Sequence, residues 1–175
     1  MKILESGPNG IKVFEPKIFK DRRGHFYESL NVKELNKILK KKINIKQSNV
    51  SFSKKNVFRG FHFQKKPHAQ DKFVRVLQGK ILDIVVSIDK NSKIYLDSFY
   101  YELSEKNKKI LYVPKNFAHG FLVLSKNATI EYFVTNYYSK SHERNINIFD
   151  ERLNIDKKII KKKLIMSNKD MTNNF

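Results

Sequence analysis

Short runs of β-branched and aromatic residues recur along almost the whole chain, and they constrain the fold more than any other feature of the sequence. Turn-forming residues such as Gln78-Gly79 and Val113-Pro114 separate these runs. Many short strands at regular spacing are typical of an antiparallel sandwich or barrel, so we predict an all-β fold of jelly-roll type. The predicted strands are residues 11–14, 47–53, 57–63, 72–77, 81–88, 97–103, 110–113, 117–124 and 129–138.

Only the segment 31–40, NVKELNKILK, clearly predicts a helix. Asn31 is suited to cap its first turn, Glu34 occupies the capping-box position, and apolar residues follow at helical spacing. The segment 156–175 fits either a short helix or an irregular stretch packed on the barrel. We therefore expect one or two short helices beside the strands.

The length of 175 residues predicts one domain covering residues 1–175. The chain contains no cysteine, which excludes a disulfide framework, a thiolate metal site and a thiol nucleophile. It also lacks the apolar runs that a signal peptide or a membrane span needs. We therefore expect a cytoplasmic protein without a membrane partner.

The formal net charge of +19 raises the question of a polyanionic partner. Thirty of the 36 basic residues are lysines spread along the chain, whereas arginine is preferred for bidentate phosphate and base contacts. We therefore expect no nucleic-acid partner. A non-catalytic nucleotide-binding or nucleic-acid-binding barrel stays open as an alternative, and it predicts salt-sensitive binding.

Ionisable residues are concentrated in the segment 57–76, VFRGFHFQKKPHAQDKFVRV, although its composition otherwise predicts strands. A strand that lines a ligand cavity tolerates polar side chains at inward positions, where a packed core would require apolar ones. This segment therefore predicts one wall of a cavity inside the barrel.

Several kinds of catalytic site are disfavoured by the residue spacing. His62 and His68 are the nearest histidine pair of this segment, and no His-x-His pair exists to suggest a metal site. No nucleophile turn, phosphate loop or dinucleotide fingerprint is present. General acid/base chemistry without a metal or another cofactor remains, and an imidazole suits it as a largely neutral base near neutral pH.

Lys72, Arg59 and His119 lie on predicted strands from which their side chains can converge with His62 on one cavity. Arg59 and His62 would point to opposite faces of a regular strand, because side chains alternate. If both line the same cavity, the strand must be irregular, and Gly60 is the natural place for a bulge.

The chain resembles the dTDP-4-dehydrorhamnose 3,5-epimerases, a family of cupin-like jelly-roll enzymes. The resemblance extends over nearly the whole chain and keeps the order of the family's motifs. The matching blocks are DRRGHFYES (21–29), QSNVSFS (47–53), VFRGFHFQKKPHAQDKFVRVLQG (57–79), VPKNFAHGFLVLS (113–125), EYFVTNYYSKSHER (131–144) and MSNKD (166–170).

The resemblance implies roles for four residues in the chemistry. His62 matches the catalytic base, and Asp170 matches the carboxylate that orients it. Tyr132 matches the acid that returns a proton to the opposite face, and Lys72 matches the cation beside the developing enolate oxygen. In a 4-keto sugar, carbons 3 and 5 both flank the carbonyl, so proton removal and return can invert them without a redox cofactor.

The resemblance also implies a set of residues that hold the nucleotide-linked sugar. The sequence departs from the family after HER, where the family carries tryptophans and this chain has none, with Phe149 as the aromatic. That difference bears on the identity of the nucleotide base. The implied substrate-binding residues are Arg23, Phe26, Glu28, Gln47, Asn49, Arg59, His119, Tyr138, Glu143 and Lys169.

The resulting interpretation is epimerisation of dTDP-4-dehydro-6-deoxyglucose at carbons 3 and 5. An alternative keeps the chemistry and changes the substrate to a GDP-linked 4-keto-6-deoxy heptose of surface polysaccharide biosynthesis, inverted at carbon 3 alone or at both carbons. The resemblance further implies a homodimer that exchanges N-terminal strands. The sequence permits this, because an early strand such as 11–14 needs a sheet edge to join.

Overall fold

Two antiparallel β-sheets face each other and account for most of the regular structure. The computed structural model describes residues 1–160 and 163–175. All pairings between the strands named here are antiparallel. The strands are β1 (Lys2–Ser6), β2 (Lys12–Glu15), β3 (Ile18–Asp21), β4 (Gly24–Tyr27), β5 (Gln47–Lys54), β6 (Phe58–Gln64), β7 (Lys72–Gln78), β8 (Lys80–Ser87), β9 (Ser98–Ser104), β10 (Ile110–Val113), β11 (Phe117–Val123), β12 (Asn127–Val134) and β13 (Glu143–Asn145).

The order of the strands places distant parts of the chain side by side. The larger sheet runs β1-β2-β10-β7-β12-β5, and the smaller one runs β13-β6-β11-β8-β9. Strands β3 and β4 form a separate hairpin. Within the described residues, no helix is long and apolar enough to cross a membrane.

The main apolar core lies between the two sheets, because alternate side chains of each strand point toward the facing sheet. Val74 and Leu111 of the larger sheet pack in one cluster with Leu103 and Phe117 of the smaller sheet. A second cluster fills the outer side of the smaller sheet beneath residues 146–160 and 164–166, and Phe58 and Phe61 belong to it. The smaller sheet is therefore covered on both faces.

Helix α1 (Val32–Leu39) forms where the sequence predicts it. Asn31 Oδ1 accepts a hydrogen bond from the backbone N–H of Glu34 at 3.1 Å, as an N-cap should. The Glu34 carboxylate does not complete the capping box, because it binds the Met1 ammonium group at 2.7 Å instead. Both possibilities for 156–175 are present in part: α2 (Lys157–Ile160) is a short helix, and residues 163–175 are irregular apart from a single 3₁₀ turn (Lys169–Met171) and pack on the smaller sheet through Leu164 and Met166. Residues 161 and 162 lie outside the described residues.

All nine predicted strands are present; the strand at 110–113 has the predicted bounds, and the other eight have shifted ends. The prediction was wrong for residues 135–138, because the backbone N–H of Thr135 donates to the carbonyl of Asp71 and the chain leaves the ladder there. Strands β1, β3, β4 and β13 were not predicted. The strand at 12–15 is also not an edge, because β1 covers it on one side and β10 on the other.

The irregularity expected at Gly60 is present in β6. The register pairs His62 with His119 and Arg59 with Phe121, so Gly60 and Phe61 together lie opposite a single residue of β11. Gly60 has φ of +131°, and a Cβ added there would lie 2.8 Å from the His119 carbonyl oxygen. The bulge lets Arg59 and His62 line the same cavity.

Candidate active site

A cavity of about 350 Å³ opens between the two sheets. Strands β6 and β11 of the smaller sheet and β5, β7 and β12 of the larger sheet contribute to its walls, and the turn at 167–170 closes part of it. The structure thus brings together most of the site residues expected from the sequence. Those that line the cavity are Arg59, His62, Lys72, His119, Tyr132, Tyr138, Glu143, Lys169 and Asp170.

His62 and Asp170 form a hydrogen-bonded pair at the cavity wall. His62 Nε2 lies 2.7 Å from Asp170 Oδ1, and the hydroxyl of Ser167 donates to Asp170 Oδ2 at 2.8 Å. Burial by itself would raise the pKa of Asp170, but the hydrogen bonds from His62 and Ser167 outweigh it and keep the pKa below its usual value. An ionised carboxylate only accepts, so Nε2 carries the proton and Nδ1 is left as the basic nitrogen.

Tyr132 belongs to β12 of the larger sheet, whereas His62 belongs to β6 of the smaller one. Both side chains line the same cavity, so an imidazole and a phenol reach it from facing sheets. Burial raises the pKa of Tyr132, and Glu143 adds to that shift while Arg59 opposes it. The phenol is therefore protonated near neutral pH and can act as an acid.

Lys72 provides a buried cation at the same cavity. Its Nζ donates to the backbone carbonyl of His62 at 3.1 Å. Burial lowers the pKa of Lys72 to about 8, although the carboxylates of Asp83 and Glu143 favour the charged form. The ammonium can stabilise a negative oxygen in this cavity, but only while the pH stays below that value.

Glu143 connects two other predicted site residues at the cavity mouth. Its Oε2 accepts from Lys169 Nζ at 2.6 Å and from the Tyr138 hydroxyl at 2.8 Å. Burial alone would raise the pKa of Glu143, but these bonds more than compensate and lower it. The same bond to Glu143 raises the pKa of Tyr138. The mouth thus carries a fixed carboxylate, an ammonium group and an exposed aromatic ring.

His119 is held by a carboxylate that the sequence did not single out. Its Nε2 lies 2.8 Å from Oδ2 of Asp83, which is fully buried, and Oδ1 of Asp83 has no partner among the described residues. The pair fixes the imidazole orientation, as second partners of functional histidines commonly do.

Gln47 and Asn49 lie beside the cavity without lining it. Gln47 Nε2 donates to Asn49 Oδ1 at 2.6 Å, and Gln47 Oε1 accepts from the backbone N–H of Tyr138 at 3.4 Å. Asn49 also pairs with Tyr132 in the β5–β12 ladder. Both residues therefore support side chains of the cavity.

Arg23, Phe26 and Glu28 are not brought to the cavity of their own chain. Arg23 and Phe26 lie on the exposed β3–β4 hairpin, and Glu28 follows it. The guanidinium of Arg23 pairs with Asp21 at 2.6 Å. Phe149 is also outside the cavity wall, in the loop after β13, with its side chain half exposed.

Sequence reasoning missed several residues of the cavity wall. Ser51 lies on the same face of β5 as Gln47 and Asn49, so strand alternation could have found it. Ser167 falls in the MSNKD block and could have been noted as a partner of Asp170. The remaining residues gave no such signal, because Phe63, Gln64 and Phe121 are apolar or amide side chains of ordinary strands and Gln70 lies in the loop before β7. The missed residues are Ser51, Phe63, Gln64, Gln70, Phe121 and Ser167.

Metal ligands are not gathered at this site or elsewhere in residues 1–160 and 163–175. No three histidine or carboxylate side chains of these ranges cluster in a way that could hold a metal ion. Instead, His62 pairs with Asp170, Lys169 pairs with Glu143, and Lys72 Nζ donates to a backbone carbonyl. This arrangement suits proton transfer on a bound small molecule.

Comparisons with known proteins agree with this geometry. A sequence model of the family described as dTDP-4-dehydrorhamnose 3,5-epimerase matches residues 7–175. The dTDP-4-dehydrorhamnose 3,5-epimerase of Escherichia coli (strain K12) is 42% identical over 156 residues, which cover 89% of this chain and 84% of that protein.

Solved structures of similar proteins share the whole architecture. The dTDP-4-dehydrorhamnose 3,5-epimerase of Elizabethkingia anophelis NUHP1 superposes with a TM-score of 0.92 at 38% identity, covering 99% of this chain and 94% of that one. The dTDP-6-deoxy-D-glucose-3,5-epimerase of Legionella pneumophila Philadelphia 1, solved with dTDP-4-keto-L-rhamnose, gives a TM-score of 0.90 at 37% identity, covering 97% and 89%. These matches confirm the predicted all-β, cupin-like jelly-roll fold.

Proposed function

The chain belongs to the dTDP-4-dehydrorhamnose 3,5-epimerase family and is therefore an isomerase, and we propose that it inverts carbons 3 and 5 of dTDP-4-dehydro-6-deoxyglucose. One observation carries the residue assignments. His62, paired with Asp170 at 2.7 Å, and Tyr132 line one cavity from facing sheets. A sugar ring between them would have a base on one face and an acid on the other.

His62 is the base in this proposal. Its Nδ1 takes the proton from carbon 3 or carbon 5, the electron pair of the broken C–H bond forms a double bond to carbon 4, and the π pair of the carbonyl moves to its oxygen. Asp170 supports this step because its negative charge stabilises the imidazolium that forms, and it keeps the ring oriented. No electron leaves the substrate, so the step requires no oxidant.

Lys72 and Tyr132 complete the inversion. The ammonium of Lys72 stabilises the enolate oxygen, and contacts of this type typically contribute about 3 to 4 kcal/mol in other enzymes. Tyr132 then gives its proton to the carbon from the opposite face, so the configuration is inverted when the enolate collapses to the ketone. Solvent returns the proton to Tyr132 and removes the one held by His62.

The cavity mouth is proposed to bind the nucleotide diphosphate. Arg59 and Lys169 supply positive charge for the phosphates, and His119, with its orientation fixed by Asp83, supplies a further donor. The exposed ring of Tyr138 offers a stacking surface for the base. These groups support a nucleotide-linked sugar over a free sugar, which carries no phosphate for Arg59 and Lys169 to bind.

Deuterium incorporation tests the proposal directly. The protein is incubated with dTDP-4-dehydro-6-deoxyglucose in deuterated water, and nuclear magnetic resonance measures deuterium at each carbon. We expect deuterium at both carbon 3 and carbon 5 of the product. Tyr132→Phe should slow product formation yet leave some exchange at carbon 3, because His62 still removes that proton. Tyr137→Phe, which alters a neighbouring exposed ring, is the matched control.

A parallel incubation tests substrate choice. A GDP-linked 4-keto-6-deoxy heptose is offered under the same conditions, and exchange is compared between the two sugars. Faster exchange with the heptose would overturn the proposed substrate, and exchange confined to carbon 3 would overturn inversion at both carbons. Binding of either nucleotide sugar without any exchange would favour a non-catalytic barrel.

We further propose a homodimer in the cytoplasm. The β3–β4 hairpin is exposed, and Phe26 has 66% of its surface accessible in the single chain. Strand β1 leaves one edge of the larger sheet open, with Ile3 and Leu4 accessible. If the hairpin reaches the cavity of a second subunit, Arg23, Phe26 and Glu28 can bind the nucleotide there.

A further inference from the structure

Asn145, the last residue of β13, is a buried amide whose hydrogen bonds all lead toward the catalytic pair. Only 1% of its surface is accessible. In the β13–β6 ladder it lies directly opposite His62. Its backbone thus belongs to the strand pair that carries the base, although its side chain does not line the cavity.

The side chain of Asn145 holds the turn that presents Asp170. Its Nδ2 donates to the carbonyl of Lys169 at 2.9 Å, to the carbonyl of Thr172, and to the hydroxyl of Thr172 at 3.1 Å. These acceptors bracket the 3₁₀ turn Lys169–Met171, in which Asp170 is the buried residue. One amide group therefore binds the turn on both sides of the carboxylate.

The backbone of Asn145 is tied to the same segment. Its N–H donates to Asn174 Oδ1 at 2.7 Å, and its carbonyl accepts from the N–H of Asn174 at 3.2 Å. Asn147 repeats the pattern, donating from Nδ2 to the Met171 carbonyl and from its N–H to Asn173 Oδ1. The segment 169–174 is thus attached to the strand beside His62 mainly through asparagine side chains.

We propose that Asn145 is a positioning residue, which sets the Asp170 carboxylate against His62 by holding the Lys169–Met171 turn to the His62 strand pair. This role rests on the proposed proton abstraction by His62. A single 3₁₀ turn has little stability of its own, since it is too short to retain its shape without outside contacts. Small displacements of a catalytic group cost large factors in rate, about a hundredfold for 1 Å.

The acceptors around Asn145 Nδ2 explain why an amide is required. Carbonyl oxygens need a donor, and a carboxylate in the same place would face them without a proton to share. Asn145→Asp keeps the shape of the side chain and removes the donor. Asn174→Ala is a milder second variant, because Asn174 is exposed and the one hydrogen bond of its side chain within the described residues is that from the Asn145 N–H.

The experiment compares Asn145→Asp, Asn174→Ala and a control, Asn107→Asp, in the full chain. Asn107 also donates its amide to a backbone carbonyl, that of Glu102, but lies in a turn away from the cavity. We expect kcat to fall about 10- to 100-fold in Asn145→Asp and less in Asn174→Ala, with KM changed far less. The control should retain wild-type kcat.

Two readouts separate positioning from general loss of structure. The downfield imidazole N–H resonance produced by the His62–Asp170 bond should weaken in Asn145→Asp and persist in Asn107→Asp. In an Asp170→Asn background, Asn145→Asp should lower kcat little further, because the group it positions has already lost its charge.

The positioning role would be overturned if Asn145→Asp lowered kcat by the same factor in the Asp170→Asn background as in the wild type. An unchanged His62 resonance in Asn145→Asp would also overturn it. If Asn145→Asp does not fold, Asn174→Ala decides the question: an unchanged kcat together with an unchanged His62 N–H resonance in that variant would overturn the positioning role. If the wild-type protein does not exchange protons on the keto sugar, the proposed function fails, while the His62 resonance still tests the placement of Asp170.

Discussion

The titratable groups of the cavity differ in protonation state because their surroundings differ. Asp170 is held ionised by two hydrogen bonds, Tyr132 is kept protonated by burial, and Lys72 has its pKa lowered to about 8 by burial. A base, an acid and a cation can therefore coexist in one cavity near neutral pH. The sequence predicted these residue types but not their states, which depend on burial and on partners distant along the chain.

Replacement of His62 tests the base. His62→Asn should reduce kcat at least about a hundredfold, the usual scale for a general base, because the substitution removes the imidazole nitrogen that takes the proton in the proposed mechanism. Binding of the nucleotide sugar should persist, since the imidazole is not expected to hold the phosphates. Turnover and calorimetric binding measure the two effects.

The matched control is His68→Asn, which changes a histidine outside the cavity wall. It should retain full turnover. Wild-type rates in His62→Asn would exclude His62 as the base, whereas equal losses in both variants would indicate a general structural effect.

The lowered pKa of Lys72 predicts the alkaline limit of activity. The ammonium stabilises the enolate oxygen only while protonated, so kcat/KM should fall as the pH rises through about 8. Lys72→Arg keeps a cation at higher pH, and its residual activity should not decline in that range. The pH profile of kcat/KM checks this, because that ratio reports the free enzyme. A wild-type profile that stays flat to pH 10 would contradict the assignment.

Strands with strong apolar character could be predicted from the sequence, and those without it could not. Residues 81–88 and 117–124 are mostly apolar, with Asp83, Ser87 and His119 as their polar members, and the strands that they form are largely buried. Strand β1 is exposed throughout and β13 has only three residues, so neither gives a hydrophobic pattern. Their pairing depends on neighbours that are distant in the sequence.

The bulge in β6 shows how much of the site followed from local reasoning. Strand alternation required an irregularity at Gly60 if Arg59 and His62 share a cavity, and the register contains it. The partner of His62 could not be obtained this way. Only the family resemblance indicated Asp170, because no local pattern connects two residues so far apart.

Substitution at Gly60 tests the bulge as a structural element. Gly60→Ala should lower the free energy of unfolding by about 3 kcal/mol or more, because it combines an unfavourable positive φ with a close contact to the His119 carbonyl oxygen. Activity should fall as well, since His62 follows two residues later. Denaturant unfolding measures the change in stability.

Gly24→Ala is the control for that experiment. Gly24 has nearly the same φ, +132°, but an added Cβ meets no atom within 4 Å. Gly24→Ala should lower the free energy of unfolding by about 1 to 2 kcal/mol, which isolates the effect of backbone strain. An equal decrease in the free energy of unfolding in Gly60→Ala and Gly24→Ala would argue against steric crowding at the bulge.

At the scale of the whole molecule, we propose that residues 1–175 fold as one domain, since both sheets contribute to one apolar cluster. The proposed dimer follows from surfaces that this domain leaves uncovered. Neither the hairpin nor strand β1 could be assigned a partner from the sequence, because both are short and rich in charged residues.

The assembly is tested by measuring molecular mass in solution. We expect the protein to have twice the chain mass of 20.8 kDa. Ile3→Lys combined with Leu4→Lys should weaken association by placing charges on the open edge, and activity should decrease with it if the neighbouring hairpin completes the cavity. Leu77→Lys, at an exposed position of β7 within the same sheet, is the control. A wild-type mass of one chain would exclude the dimer.

The hydrogen bond between His62 and Asp170 joins residues that are 108 positions apart. Contacts of such long range form slowly, because a large loop must close before they are gained. Recovery of catalytic turnover after dilution from denaturant should therefore not precede recovery of the circular dichroism signal from the sheets, whose own pairings, such as Phe14 with Ile110, are almost as distant in the sequence. In this chain, recovered enzyme activity would report that the two distant segments carrying His62 and Asp170 have come together.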